Sequence, residues 1–161
     1  MVTRKQRSST EKKQHDATDP YSEFVQKLRL SGLGLESVSA SVRRSDWALA
    51  VQNQSEVKGQ MDLKDHILAM KEGSFVLAIS FDLKQKTDMF EQPLLEISGT
   101  YSAMFGHEGT PNEEFVRRFA SREARIIFWP YIRQHITDIS SRMSVQNILL
   151  PLTSELAQAA K

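Results

Sequence analysis

The sequence predicts an α+β fold in which antiparallel strands come first and helices follow. Three features predict it. Apolar and polar residues alternate from about residue 37 to residue 105, short polar connections separate the alternating runs, and the last third carries apolar residues at helical spacing. The length of 161 residues suits one domain with a modest core.

The N-terminal segment, residues 1–19, is predicted to be a disordered basic tail, and residues 20–161 are predicted to form a single domain. The tail has few apolar residues, so it cannot bury enough surface to offset its ordering entropy. Its cations are Arg4, Lys5, Arg7, Lys12 and Lys13. No aromatic residue lies among them, which argues against a dedicated nucleic-acid arm.

The first ordered element is predicted to be a helix over residues 21–33. Phe24 and Leu28 are spaced to share its buried face. Gly32 and Gly34 would close it, because glycine readily adopts the conformation that ends a helix.

Alternation of period two predicts four strands. The first surrounds residues 38–42, where apolar residues alternate with serines. Residues 47–51 continue the alternation in the opposite phase, which predicts a bulge or bend near residues 43–46. The other three strands are predicted at residues 61–70, 75–83 and 95–105.

The last third predicts helices. Pro111 is tolerated at a first helical position, and Glu113 and Glu114 suit the positive end of a helix dipole. A longer helix carries one apolar stripe, formed by Phe128, Ile132, Ile136, Ile139 and Met143. Pro130 would kink or start that helix, and residues 153–161 would form a short C-terminal helix.

Composition and motifs argue against catalysis. The chain has no cysteine, and its four histidines do not stand at metal-ligand spacing; His135 is predicted to lie on the polar side of its helix. No phosphate loop or nucleophile motif is found, so neither an enzyme nor a bound cofactor or metal is expected. The net charge of +1 implies neither nucleic acid nor a membrane surface. No apolar run reaches the ~18 residues of a spanning helix, and we expect a cytoplasmic protein without membrane insertion.

Residues 94–152 resemble the SecB family of export chaperones. The resemblance lies in residues 97–101 (ISGTY), 127–133 (IFWPYIR), 136–142 (ITDISSR) and 149–152 (LLPL). Trp129 before Pro130, and the Glu-Glu-Phe at 113–115, are closer to the SecB-like chaperones of toxin–antitoxin systems than to the export protein.

The resemblance implies a four-stranded antiparallel sheet with helices packed on one face. It also implies a homotetramer built as a dimer of dimers, which holds unfolded or aggregation-prone polypeptides without ATP, with an antitoxin as a candidate client. Two alternatives stay open: an export chaperone that delivers precursors to the SecA motor, and an adaptor or structural subunit without client binding. The near-neutral charge and the basic tail argue against SecA.

A holdase needs apolar area that stays accessible after folding. The client-binding candidates are Trp47, Leu49 and Val51 near the predicted bulge, and Leu149, Leu150, Leu152 and Leu156 in the C-terminal segment. The alternative interpretation is that these residues complete the core or an oligomer interface. The helical stripe, together with Trp129 and Tyr131, is predicted to form core or oligomer interface.

Overall fold

The computed structural model of the protein describes residues 19–145. Residues 1–18 of the predicted basic tail therefore lie outside the described chain. The same holds for the predicted C-terminal helix and for four client-binding candidates, Leu149, Leu150, Leu152 and Leu156. The predictions for these segments stay predictions.

The described chain folds as four strands and four helices. The strands are β1 (Arg29–Val42), β2 (Lys58–Lys71), β3 (Ser74–Lys86) and β4 (Leu95–Gly106). The helices are α1 (Pro20–Lys27), α2 (Arg44–Gln52), α3 (Glu113–Ser121) and α4 (Glu123–Arg142). The predicted α+β class and the antiparallel four-stranded sheet are confirmed.

The strands form one sheet in the order β1-β4-β3-β2, and all neighbours are antiparallel. β1 and β2 therefore lie at opposite edges, and the connection between them, residues 43–57 with α2, must cross the width of the sheet. We call this connection the crossover. The crossover is hydrogen-bonded to the β3–β4 loop: the Arg43 N–H donates to the Leu94 carbonyl at 2.9 Å.

The core lies between the sheet and the helices on one of its faces. Successive side chains of a strand point to opposite faces, so alternate residues of β3 and β4 meet the helices. Its largest fully buried side chains are Phe75, Phe81, Phe105, Phe128, Leu77, Ile79, Leu94, Leu95, Ile97, Ile132, Ile136 and Val116. An ion pair joins α4 to β2, with Arg125 Nη2 2.6 Å from Asp65 Oδ1.

The predicted helix over residues 21–33 is wrong in its second half. Helix α1 ends at Lys27, and β1 already begins at Arg29. Leu30 pairs with Phe105, and Leu35 pairs with Tyr101, so strand pairing with β4 outweighs the local helical spacing. Gly32 and Gly34 are strand residues rather than a helix end.

The predicted strand at residues 47–51 is also wrong, because these residues form α2. Trp47 and Ala50 stand three apart and face inward; Ala50 is buried and Trp47 packs partly against the core. Because Ala48 and Ala50 separate the three larger apolar residues, the sequence alternates large and small side chains even though the segment is a helix. The irregularities of β1 lie instead between Leu30 and Gly32 and between Leu35 and Ser37.

The C-terminal helices differ in detail from the prediction. Pro111 precedes α3, and the Asn112 side chain caps this helix by accepting from the N–H groups of Glu114 and Phe115 at 2.9 and 3.2 Å. Pro130 does not start α4 but lies inside it. His135 is not on a polar surface: it is half-buried, with its ring against the rings of Phe81 and Tyr101.

Candidate functional site

The helix-side face of β1 is largely uncovered within residues 19–145. Directly paired strand residues share a face, so Leu30, Leu35 and Val38 point to the same side as Phe105, Tyr101 and Gly99. The three β1 side chains are nevertheless 47%, 41% and 45% exposed. The helices pack over β2, β3 and β4 and leave this edge of the sheet open to solvent.

Tyr131 of α4 extends this surface. It is 46% exposed, and its ring centroid lies 6.4 Å from that of Tyr101, the residue paired with Leu35. The Tyr101 hydroxyl donates to the Tyr131 carbonyl at 3.5 Å, and burial together with the charge of Asp138 raises the pKa of Tyr101. We name the group Leu30, Leu35, Val38 and Tyr131 the β1 surface.

A second apolar surface lies on the crossover and the β3–β4 loop. Leu49 and Val51 of α2 are 45% and 59% exposed, and Met89 of the loop is 45% exposed. The Ser55 hydroxyl lies 2.6 Å from the Met89 sulfur, and the Ser55 N–H donates to the Ala50 carbonyl at 2.9 Å. These contacts bring the loop beside the C-terminal turn of α2. We name Leu49, Val51 and Met89 the crossover surface; Leu49 and Val51, two residues apart in the helix, lie on different sides of α2.

The free edge of β2 begins where the crossover ends, at Lys58. Within the described chain β2 pairs with β3 alone, so its outer backbone groups have no strand partner there. A bulge between Ile67 and Ala69 leaves Leu68 58% exposed. Other side chains on this edge are partly buried against the core: Met61, Leu63, Ile67 and Met70.

The opposite face of the sheet is polar over most of its area. Ser37, Ser39, Ser80, Ser98 and Thr100 are among the residues that line an open depression of about 380 Å³. Asp62 and Asp82, paired directly across β2 and β3, share this face, and Lys84 Nζ lies 3.0 Å from Asp82 Oδ2. Such a face remains hydrated and offers little apolar area to an unfolded chain.

The residues in and just after α4 that are predicted as core or interface differ in how deeply they are buried. Phe128, Trp129, Ile132 and Ile136 are buried in the core, whereas Ile139 and Met143 are partly buried against it. Tyr131 stands apart because it is exposed. Of the predicted client-binding residues, Leu49 and Val51 are exposed, and Trp47 is half-buried.

Within the described residues, no three His, Cys, Asp or Glu side chains are grouped as a metal site. None of the described helices is long and apolar enough to cross a bilayer.

The fold formed by these strands and helices is similar to that of a SecB-like chaperone. The solved structure of the Mycobacterium tuberculosis Rv1957 SecB-like chaperone, in complex with a ChAD peptide from the Rv1956 HigA1 antitoxin, matches with a TM-score of 0.68. The sequences are 20% identical, and the match covers 82% of this chain and 95% of that chain. A protein of unknown function from Streptococcus agalactiae gives a TM-score of 0.46 at 9% identity, over 78% and 97% of the chains. No family model matches this chain, and the curated proteins include no match.

The sequence pattern predicts Tyr131 as core or oligomer interface, but it does not identify Met89 or the exposure of Leu30, Leu35 and Val38. Leu30 was placed in a helix, although Leu33 and Leu35 already alternate with Gly32 and Gly34. That alternation could have extended β1 toward its N-terminal end. No local pattern marks Met89, because its position follows from the contact between its loop and the crossover.

Proposed function

We propose that the protein is an ATP-independent holdase chaperone. It captures unfolded or aggregation-prone polypeptides on apolar surface that stays open after folding. The observation that carries the proposal is the set of large apolar side chains that remain exposed beside a complete core. In residues 19–145 these are Leu30, Leu35, Val38, Leu49, Val51, Leu68, Met89, Ile126 and Tyr131, each 41% to 59% exposed; Met104, at 44%, lies apart on the polar face of the sheet. The likeness in fold to a SecB-like chaperone supports the same function.

The energetics favour a distributed surface. Burial of ~1,000 Å² of apolar area releases roughly 25 kcal/mol gross, because each square ångström contributes about 25 cal/mol. Ordering a flexible client and losing its freedom cancels much of this. Several modest contacts along one extended client therefore suit a holdase, since none of them needs to recognise a particular sequence.

Clients bind first at the crossover surface and continue along β2. Leu49 and Val51 supply exposed apolar contacts, and the chain leads from them directly into the free edge of β2. An extended client can add a strand to such an edge, with main-chain hydrogen bonds that do not depend on sequence. Its alternate side chains would then meet the apolar row that begins at Met61 and Leu63.

The β1 surface is assigned to contact between copies of the chain. β1 pairs with β4 alone among the described strands, and its outer edge lies beside the apolar row Leu30, Leu35 and Val38. Natural proteins protect such long apolar edges from unwanted pairing. Pairing with a second copy would cover this edge and start the dimer of dimers that the sequence resemblance implies.

An antitoxin is proposed as one client. The SecB-like chaperone of similar fold was solved with a peptide from an antitoxin. An aggregation-prone antitoxin exposes apolar side chains, and such side chains bind to exposed apolar surface. A photocrosslinking amino acid at position 49 should trap an antitoxin in the native cells, identified by mass spectrometry. The same group at position 104, on the polar face of the sheet, is the control.

The direct test of the holdase uses light scattering from a denatured reference polypeptide. The wild-type protein in several-fold molar excess should suppress scattering without ATP. The double variant Leu49→Ser/Val51→Ser should suppress it several-fold less well. Met104→Ser should behave like wild type, because Met104 is equally exposed, at 44%, but lies away from the crossover.

Two outcomes would contradict the proposal. If wild-type protein leaves scattering unchanged, the chain is an adaptor or structural subunit rather than a holdase. If the double variant and Met104→Ser are both as active as wild type, the client does not bind at the crossover surface.

A further inference from the structure

All the sulfur in this chain is methionine, since the sequence has six methionines and no cysteine. Peroxides attack thiolates and thioethers, and a thioether is converted to a sulfoxide. A sulfoxide is polar, whereas the thioether it replaces behaves as an apolar group. Any sulfur-based response of this protein to a peroxide must therefore involve a methionine.

Two of the described methionines are well exposed. Met89 and Met104 are 45% and 44% exposed, whereas Met61, Met70 and Met143 are partly buried against the core. Because oxidation depends on access to the sulfur, Met89 and Met104 should react first. They form a matched pair, since they have the same chemistry and nearly the same exposure but lie in different places.

The surroundings of Met89 differ from those of Met104. Met89 belongs to the crossover surface, and its sulfur lies 2.6 Å from the Ser55 hydroxyl. The Ser55 N–H donates a hydrogen bond to the carbonyl of Ala50, in the last turn of α2. The same helix carries Val51. Met104 points from β4 to the opposite, polar face of the sheet, where it pairs with Val76.

We propose that Met89 is an oxidation site through which peroxide weakens client capture. This inference rests on the proposed holdase function. The Met89 sulfur gives up two electrons and bonds to the terminal oxygen of the peroxide, the O–O bond breaks, and water leaves when the peroxide is hydrogen peroxide. The new sulfoxide oxygen accepts a hydrogen bond from Ser55 and brings water to the crossover surface. A client then finds less apolar area next to α2.

The test treats the full chain with hydrogen peroxide and measures retention of a fluorescent unfolded polypeptide. Peptide mass spectrometry should show one added oxygen at Met89. Each protein is compared with itself before treatment: retention by the wild-type protein and by Met104→Leu should fall several-fold, while Met89→Leu should keep whatever retention it has before treatment. Methionine sulfoxide reductase should restore retention by the oxidised wild-type protein.

The outcomes separate this inference from the proposed function. Equal losses in Met89→Leu and wild type, or oxidation at Met89 without loss of retention, would overturn the role of Met89 while leaving the holdase intact. A failure of untreated wild-type protein to retain the polypeptide would overturn the holdase itself and the consequence assigned to Met89. Circular dichroism before and after treatment verifies that the fold persists.

Discussion

The ring of Phe81 occupies the space above Gly99. The two residues pair directly across β3 and β4, and a Cβ built on Gly99 would lie 2.8 Å from the Phe81 carbons Cε1 and Cζ. The same Cβ would lie 2.8 Å from the Ser37 carbonyl oxygen. Phe81 is 2% exposed, and its ring stands nearly perpendicular to the His135 ring of α4, with the ring centroids 6.4 Å apart. Gly99 therefore makes room for an aromatic ring at the centre of the sheet.

Replacing Gly99 by alanine should destabilise the protein by about 1–3 kcal/mol, the typical cost of an overpacked core. The clash involves the backbone of β1 as well as the Phe81 ring, so a single side-chain rotation cannot relieve it. Urea unfolding followed by circular dichroism would measure the loss as a lower transition midpoint.

Gly59→Ala is the matched control, because it is also a strand glycine but has nothing within 4 Å of the added Cβ. There the substitution should be neutral or should stabilise by up to about 1 kcal/mol, since alanine loses less backbone entropy on folding. An equal loss at Gly59 and Gly99 would show that strand glycines, rather than the Phe81 contact, determine the effect.

Asp65→Asn should weaken the attachment of α4 to the β2 edge. The Asp65–Arg125 pair is about one quarter exposed on each side, and its closest atoms are 2.6 Å apart. Removal of one charge leaves the Arg125 guanidinium partly desolvated without its carboxylate, so we expect a loss of about 1–2 kcal/mol. The midpoint of thermal unfolding, measured at low and high salt, would report it.

The exposed pair of Arg117 and Glu113 provides the comparison. Its atoms are 2.5 Å apart, but the side chains are 68% and 64% exposed. Water screens such a pair, so Glu113→Gln should change stability by less than about 0.5 kcal/mol. If Glu113→Gln costs as much as Asp65→Asn, desolvation is not what distinguishes the two pairs.

Tyr21 should make the protein sensitive to alkaline pH. Burial, the hydrogen bond from its hydroxyl to Glu123, and the charge of Glu123 raise the pKa of Tyr21 well above its ordinary value of 10.0. Because the pKa is higher in the folded state, this contribution to stability is complete below about pH 10 and is lost as the pH rises further. Tyr21→Phe should therefore be less stable than wild type at neutral pH, and the difference should shrink above pH 10. Urea midpoints at successive pH values test this, and a difference independent of pH would contradict it.

Three strands were predictable because their pattern agrees with their environment. β3 and β4 lie in the middle of the sheet with one face against the helices, so their buried and exposed residues alternate along the strand. β2 keeps the same alternation at an edge, since its helix-side residues still touch the core. In these strands the residues that alternate as apolar in the sequence are the ones that face the core in the structure.

The start of β1 and helix α2 were not predictable in this way. Residues 30–35 contain leucines whose spacing is compatible with a helix, and pairing with β4 decides the outcome. In α2 the alternation of Trp47, Leu49 and Val51 favours a strand, whereas Ala48 and Ala50 favour a helix. The packing of the crossover decides between the two and buries Ala50. Contacts distant in sequence settle both cases, and a local pattern does not contain them.

The candidate site was predictable only in part for the same reason. Leu49 and Val51 were identified as accessible apolar residues and are exposed, although in a helix rather than a strand. Leu35 and Val38 have the pattern of buried strand residues. They are exposed because the helices pack over β2, β3 and β4 rather than over β1. The alternation shows which side chains share a face of a strand, but no local pattern shows which strands the helices cover.

Leu35→Ser/Val38→Ser should weaken the proposed contact between copies of the chain. Burial of each side chain contributes roughly 1 kcal/mol or more, so the loss of both should raise the dissociation constant of the assembly about 10- to 100-fold. Both residues are exposed in the single chain, at 41% and 45%, so the monomer fold should persist. Sedimentation over a range of concentrations would show a lighter particle for this variant than for wild type. Met104→Ser removes similar exposed area from the polar face and should leave the particle unchanged. A double variant that sediments like wild type at every concentration would show that the subunits meet elsewhere and that the β1 surface is free to bind clients.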